Sequence, residues 1–215
     1  LGVIPARFAS SRFPGKPLAL LAGKPMIQHV WEKAIASKAD AVAVATDDER
    51  IAEAVEKFGG KAIMTSPDHP SGTDRIAEAA RAFSGVETVI NIQGDESFIN
   101  PEQINIMSGL LNSDTQIATL IKAIDNDIDI DNPNLPKVVL DSNGKALYFS
   151  RSPIPYIRKH DRNKWLENHT FYRHIGLYGY QQNILQELTK LPVGLLEQSE
   201  QLEQLRWLEN GYSIQ

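Results

Sequence analysis

Apolar residues alternate between two spacings along this chain. Leu1-Gly2-Val3-Ile4, the run Ala41 to Thr46 and Val89-Ile90-Asn91-Ile92-Gln93 are short and nearly continuous, the pattern of strands covered on both faces. Between them the apolar positions recur at helical spacing. Met26, Ile27, Val30, Trp31, Ala34 and Ile35 share one face of residues 25 to 39, with Pro25 favouring the first turn. Ile51, Ala54, Val55 and Phe58 do the same after Asp47, where a helix begins, and Gly59-Gly60 stops them. A weaker strand, Lys61 to Met64, and a third helix marked by Ile76, Ala79, Ala80 and Phe83 follow. The β-α-β-α-β-α-β rhythm is complete by residue 96. It predicts an α/β fold, a mostly parallel sheet with right-handed crossovers and helices on both faces.

Beyond this point the character changes. Asn100 as N-cap, Pro101 at the first helical position and Glu102 near the positive helix end start one more helix. Then Ile117 to Ile124 reads as a strand, and Asp125 to Asn134 as an acidic loop. Two apolar runs, Lys137 to Leu140 and Ala146 to Phe149, flank Asp141-Ser142-Asn143-Gly144, a hairpin signal. An antiparallel, β-rich part over roughly residues 117 to 180 is therefore expected to grow from the sheet. Residues 152 to 170, rich in proline, basic and aromatic side chains, read as a long functional or interface loop. Arg173 to Tyr180 alternates as a strand, and Leu202, Leu205 and Leu208 line a last helix ending at Asn210-Gly211.

Composition narrows the class of protein. The 215 residues are 42% apolar and 23% charged, enough for one large domain or a domain with a smaller part. Cysteine is absent, which excludes disulfides, thiolate metal sites and cysteine nucleophiles. The net charge of −5 argues against a general nucleic-acid binder, and no apolar run long enough to span a membrane occurs. A cytoplasmic enzyme acting on a small anion is expected. Leu1 starts as though already inside a strand, so native residues are expected to precede it.

Three loops at predicted strand ends carry the candidate chemistry. The first, Ala6 to Lys16, places Arg7, Arg12 and Lys16 within ten residues and Gly15 just before the lysine, which suits a polyphosphate. In the second, Asp68 to Arg75, small residues allow close backbone approach and Arg75 offers a fork for phosphate or carboxylate. The same residues also read as a capped helix start with an exposed arginine. The third, Gln93-Gly94-Asp95-Glu96, puts a carboxylate just past a buried strand, a place for a hard cation such as Mg²⁺.

The segments IPARFASSRFPGKPLALLAGKPMI, VAVATDD, HPSGTDRIAE, VINIQGDESFI, KVVLDSNGKALYFSRSPIP, RHIGLYGY and LEQLRWLENG together resemble the bacterial 3-deoxy-manno-octulosonate (Kdo) cytidylyltransferases, over essentially the whole chain. The resemblance implies a Rossmann-like nucleotidyltransferase fold with a smaller β-rich part used in homodimerisation. It also implies transfer of CMP from CTP to Kdo, giving CMP-Kdo and pyrophosphate for lipopolysaccharide synthesis. By the same resemblance Ala6, Arg7, Lys16, Pro70, Ser71, Gly72, Arg75 and Gln93 hold the nucleotide, and Asp95 binds magnesium. Arg7, Lys16 and Asp95 are the catalytic set, and Arg151, His174, Tyr178, Glu203 and Gln204 hold the sugar. Read without it, His174 and Tyr178 share a strand face and equally suit core groups, while Glu203 and Gln204 would face solvent.

Two departures from the family pattern stand out. Ser97 replaces the usual proline after QGDE, which would loosen the turn holding Asp95. The chain also stops at Gln215, before a Gly-x-Asp-Thr-Pro stretch whose aspartate is a second magnesium ligand in the family, and Tyr212-Ser213-Ile214 reads as the start of another strand. Competing readings are a cytidylyltransferase for sialic acid and a catalytically silent nucleotide-binding protein of the same fold.

Overall fold

A computed structural model describes residues 1–9 and 13–215, so Arg12 lies outside the described residues. The first elements are β1 (Gly2–Ala6), β2 (Leu20–Leu21), β3 (Lys24–Pro25), α1 (Met26–Ile35), β4 (Val42–Thr46), α2 (Glu49–Lys57), β5 (Lys61–Met64), α3 (Gly72–Ala80), β6 (Thr88–Asn91) and α4 (Pro101–Leu110). Then come β7 (Ile117–Ala123), α5 (Asp127–Asp131), β8 (Lys137–Leu140), β9 (Ala146–Ser150), α6 (Trp165–Asn168), β10 (Tyr172–Gln181), α7 (Gln182–Leu188), α8 (Leu195–Glu200) and α9 (Gln204–Glu209). The chain divides into two units: Leu1–Asp114 with Leu177–Thr189, and Thr115–Gly176 with Lys190–Gln215.

In the first unit β5, β4, β1 and β6 pair in parallel, with Val3 opposite Ala43 on one side and Asn91 on the other. The last residues of β10 add to β6 antiparallel, Tyr178 facing Asn91. Val3 and Ile4 point to opposite faces of the sheet yet both are fully buried, as are Ala43 and Val44, so both faces are covered. The covering helices form two groups, α1 with α4 and α3 with α7. Gly179 sits under α4, where a Cβ would come within 3.0 Å of Met107, Leu111 and Ile90 side-chain atoms.

The helix starts follow local chemistry. Asn100 and Gln103 form a capping box ahead of α4. For α2 the cap is Asp48, one residue later than the sequence pattern suggests, with its carboxylate accepting from the Arg50 N–H at 3.0 Å. Asp47 is thereby left free to point elsewhere. The helix α7 carried no signal strong enough to be read from sequence.

In the second unit the first residues of β10 pair with β8, and β8 with β9, all antiparallel, while β7 also pairs with β10. The β8–β9 connection is the expected hairpin, although its turn is longer than a two-residue Asn-Gly loop. The Asp141 carboxylate accepts from the N–H groups of Asn143 and Lys145, each at 2.8 Å. Ile214 makes a single parallel bridge to Ile117 of β7, short of a strand. Residues 152 to 170 are not a bare loop. Trp165 stacks on Phe171 at 5.7 Å, and with Ile124 and Ile130 they make a small core of their own. The acidic 125–134 stretch likewise holds α5, whose Asp127 and Asp131 take the Arg162 guanidinium at 2.8 and 2.6 Å.

A buried lysine ties this unit together. Lys137 is fully buried, and its ammonium donates to the carbonyls of Asn132 and Arg151 at 2.8 and 2.7 Å. Replacing it by methionine keeps the volume but leaves both acceptors without that donor. We expect Lys137→Met to lower unfolding free energy by about 1–3 kcal/mol in a denaturant titration. An unchanged midpoint would mean that desolvating the ammonium offsets its two bonds.

Candidate functional site

Parallel strands leave their carboxyl ends on one edge, and there the first and third candidate loops meet. Ala6, Arg7, Lys16, Gln93, Gly94 and Asp95, with Pro5 and Pro17, line one pocket of about 180 Å³. The meeting is close because position 94 is glycine. A Cβ there would lie 2.7 Å from the carbonyl oxygen of Pro5. The turn beyond is closed by Glu96 N–H on Gln93 and Ile99 N–H on Glu96, at 3.1 and 3.0 Å. Ser97 is buried within it, so the turn is formed despite the serine.

Across this pocket the Lys16 ammonium contacts the Asp95 carboxylate at 2.5 Å. Lys16 starts a short 3-10 turn, residues 16 to 18, entered through Gly15 at φ 70°, a left-handed conformation that favours glycine. Both side chains remain partly exposed, so the pair is screened and can exchange partners.

Arg7 draws in the second loop: its guanidinium donates to the carbonyls of His69 and Ser71. That loop is shaped by Glu78 of α3, whose carboxylate accepts from Ser66 N–H at 2.9 Å and also contacts the His69 ring. These contacts hold the Glu78 carboxyl below its ordinary pKa, the Ser66 N–H first and His69 next. Ser71 caps α3 through Asp74 N–H at 3.2 Å, while Pro70 is exposed and Gly72 packs near Pro5. The reading of Ser71 to Asp74 as a capped helix start holds, but its arginine is not exposed. Arg75 is fully buried, with Nη1 donating to Thr65 at 2.6 Å and Nη2 at 3.1 Å from Asp47. Burial lowers its pKa, and Asp47 offsets part of that. Sequence reasoning missed Glu78 and Asp47, since each is an ordinary helix-face or cap acid until the fold turns it inward.

In the second unit Arg151 is engaged by backbone. Its Nε donates to Glu200 O at 2.6 Å, Nη1 to Pro133 O at 2.8 Å and Nη2 to Gln201 O at 3.1 Å. The Glu200 carboxylate answers, accepting from Ser150 Oγ and Arg151 N–H at 2.6 and 2.9 Å. Glu203 stands at the N-cap of α9, half-buried. Gln204 is buried, 5% exposed, rather than solvent-facing, and its amide nitrogen has no hydrogen-bond partner among the described residues. His174 is half-buried by area, yet its imidazole is enclosed by protein, which pulls its pKa from 6.5 to about 4. Thr119 Oγ1 lies 2.9 Å from Nε2, and the Phe149 ring meets it edge-on at 5.1 Å. Tyr178 belongs to the first unit, buried and stacked on Tyr180 at 6.0 Å.

Among the described residues no group of three or more carboxylate, histidine or cysteine side chains forms a ready cation cage. Asp95 fits a different mode, in which one exposed carboxylate joins substrate phosphates around a magnesium ion. No helix among them is long and apolar enough to cross a membrane.

A parallel α/β sheet with basic and acidic loops converging at its carboxyl edge suits the binding of nucleotide phosphates, and low-identity neighbours share the fold. A nucleotidyl transferase from Methanothermobacter superposes with a TM-score of 0.62 at 14% identity, over 99% of this chain and 83% of that one. The family model described as Cytidylyltransferase matches residues 1–214, and the chain belongs to that family, among its 3-deoxy-manno-octulosonate cytidylyltransferases. The relatives so named from Parabacteroides distasonis and Bacteroides thetaiotaomicron are 56% and 55% identical, each over 100% of this chain and 87% of its own length. A solved structure of CMP:2-keto-3-deoxy-manno-octonic acid synthetase complexed with CTP has a TM-score of 0.92 at 44% identity, over 100% of this chain and 87% of that one.

Two outcomes follow from the geometry. Gly94→Ala forces a backbone collision, so a thermal melt should show a loss of about 1–3 kcal/mol. His174 binds its proton more weakly folded than unfolded, so its contribution to stability is full above pH 6.5 and is lost as pH falls towards 4. Unfolding free energy measured relative to His174→Gln should therefore be flat above pH 6.5 and decline below it. A constant difference across that window would contradict the low pKa.

Proposed function

We propose that this protein transfers CMP from CTP to 3-deoxy-manno-octulosonate, releasing pyrophosphate, and so activates that sugar for lipopolysaccharide synthesis. The observation that carries the reading is the convergence of Arg7, Lys16, Gln93 and Asp95 on one pocket, in a chain more than half identical to enzymes of that name. The residues divide the work by charge. Lys16 and Arg7 neutralise the triphosphate, while Ala6, Pro70, Ser71, Gly72 and Gln93 let the backbone approach the nucleotide. Arg75 acts from beneath, its buried charge adding to the field at Arg7. Arg151, His174, Tyr178, Glu203 and Gln204 receive the sugar, an arginine for its carboxylate and polar groups for its hydroxyls.

In the reaction an anomeric hydroxyl oxygen of the sugar attacks the α-phosphorus, the bond to pyrophosphate breaks, and the hydroxyl proton is lost. Both reactants are anionic, so positioning and charge neutralisation supply most of the acceleration, with no covalent protein intermediate. Mg²⁺ on Asp95 would supply further neutralisation across the phosphates. Because Asp95 is paired with Lys16, nucleotide binding has to reorganise that contact, which makes both side chains sensitive reporters. A cytoplasmic homodimer built on the β-rich part belongs to the same proposal. Exposed Leu147 on the outer strand β9 supports the dimer, and the net charge of −5 argues against nucleic acid as a partner.

The test is pyrophosphate release by the full-length protein with CTP, Mg²⁺ and Kdo, sialic acid serving as the control sugar. Release with Kdo alone is expected, and Asp95→Asn and Lys16→Gln should each lower kcat by about 10²–10³. Release with sialic acid instead, or CTP binding without turnover, would replace this reading.

A further inference from the structure

The first loop carries its two described cations at its two ends, Arg7 and Lys16, and the residues just inside them meet. Gly15 N–H donates to Phe8 O at 2.8 Å, closing the neck of the loop. The Phe8 ring lies against the same glycine, where a Cβ would come within 3.0 Å of a ring carbon. Over the ring sits Arg50, its guanidinium carbon 3.4 Å from the centroid. Arg50 is itself fixed, forked onto Asp48 through Nε–Oδ1 at 2.9 Å and Nη2–Oδ2 at 2.6 Å, and Asp48 is the N-cap of α2.

We propose that Phe8, Arg50 and Asp48 form a positioning device that fixes the separation of Arg7 and Lys16 before the nucleotide binds. The proposal rests on the reading of Arg7 and Lys16 as CTP ligands. Phe8 is half-buried and the Arg50 side chain is 61% exposed, so the stack adds little to global stability. Its consequence falls on the loop. A neck tied to α2 leaves Arg7 and Lys16 less freedom to lose when triphosphate arrives, which appears as tighter binding without a new contact to the ligand. The same stack excludes an alternative use of Arg50 only if the two residues act as one, and that can be measured.

The experiment is calorimetric CTP titration of wild type, Phe8→Ala, Phe8→Tyr, Arg50→Ala and the Phe8→Ala/Arg50→Ala double variant, with kcat and melting temperature recorded for each. Phe8→Ala should weaken CTP binding about tenfold and Arg50→Ala about two- to fivefold, as expected of a partly exposed cation–π contact. The double variant should bind no worse than Phe8→Ala alone, because the contact can be lost only once. Phe8→Tyr should restore affinity, melting temperatures should not move, and the Michaelis constant for CTP should rise more than kcat falls. Multiplicative losses in the double variant would make Arg50 a phosphate ligand in its own right and overturn the proposal. Wild-type affinity in Phe8→Ala would sink this proposal alone, whereas a wild-type protein that does not bind CTP would sink the nucleotide reading and this proposal with it.

Discussion

A Cβ at position 94 would stand 2.7 Å from the Pro5 carbonyl oxygen, so the ends of β1 and β6 approach at a distance that only glycine permits. The rest of the site depends on that approach. β1 is central, hydrogen-bonded to β4 on one side and β6 on the other, and its buried residues fix where it ends. Since Asp95 follows Gly94 and Arg7 follows Ala6, the close approach brings a carboxylate and a guanidinium to the same edge. Lys16 is then delivered by the left-handed turn at Gly15.

Charge in the first unit is arranged in two depths. At the surface Lys16 and Asp95 hold each other loosely, in the exposed state in which an ion pair is worth about 1 kcal/mol or less and readily exchanges. Beneath them Arg75 is sealed with Asp47 and Thr65, where breaking a pair is expensive. Arg7 connects the depths through backbone carbonyls of the second loop. A ligand can thus recruit the outer charges while the inner ones keep the frame, a division suited to binding a polyanion without refolding.

The second unit solves a different problem with the same means. Lys137, Arg151 and Glu200 bond mainly to backbone groups, and so weld the end of β9 to the end of α8. The segment carrying Glu203 and Gln204 continues directly from that weld. Leu202, Leu205 and Trp207 are buried around Gln204, so that segment is anchored by apolar packing as well as by the weld.

Much of this was legible in the chain itself. The strands β1, β4 and β6 stand out because both their faces are buried and their apolar runs are continuous; α2, α3 and α4 because caps and stripes are local chemistry. The three loops, the motifs and the family were likewise written in residue order. The short helices α5, α6 and α7 were not, because elements of a turn or two are held by tertiary packing such as the Trp165–Phe171 stack rather than by propensity. Nor does sequence say which way a charged side chain points. Arg75 and Gln204 looked outward by pattern and are buried, Arg151 turns three of its five donors to backbone carbonyls, and Phe8 finds Arg50 forty-two positions away. Periodicity and capping act over a few residues and so can be read along the chain. Burial of a particular charge, and the partner it meets there, is decided only when distant strand ends are brought together.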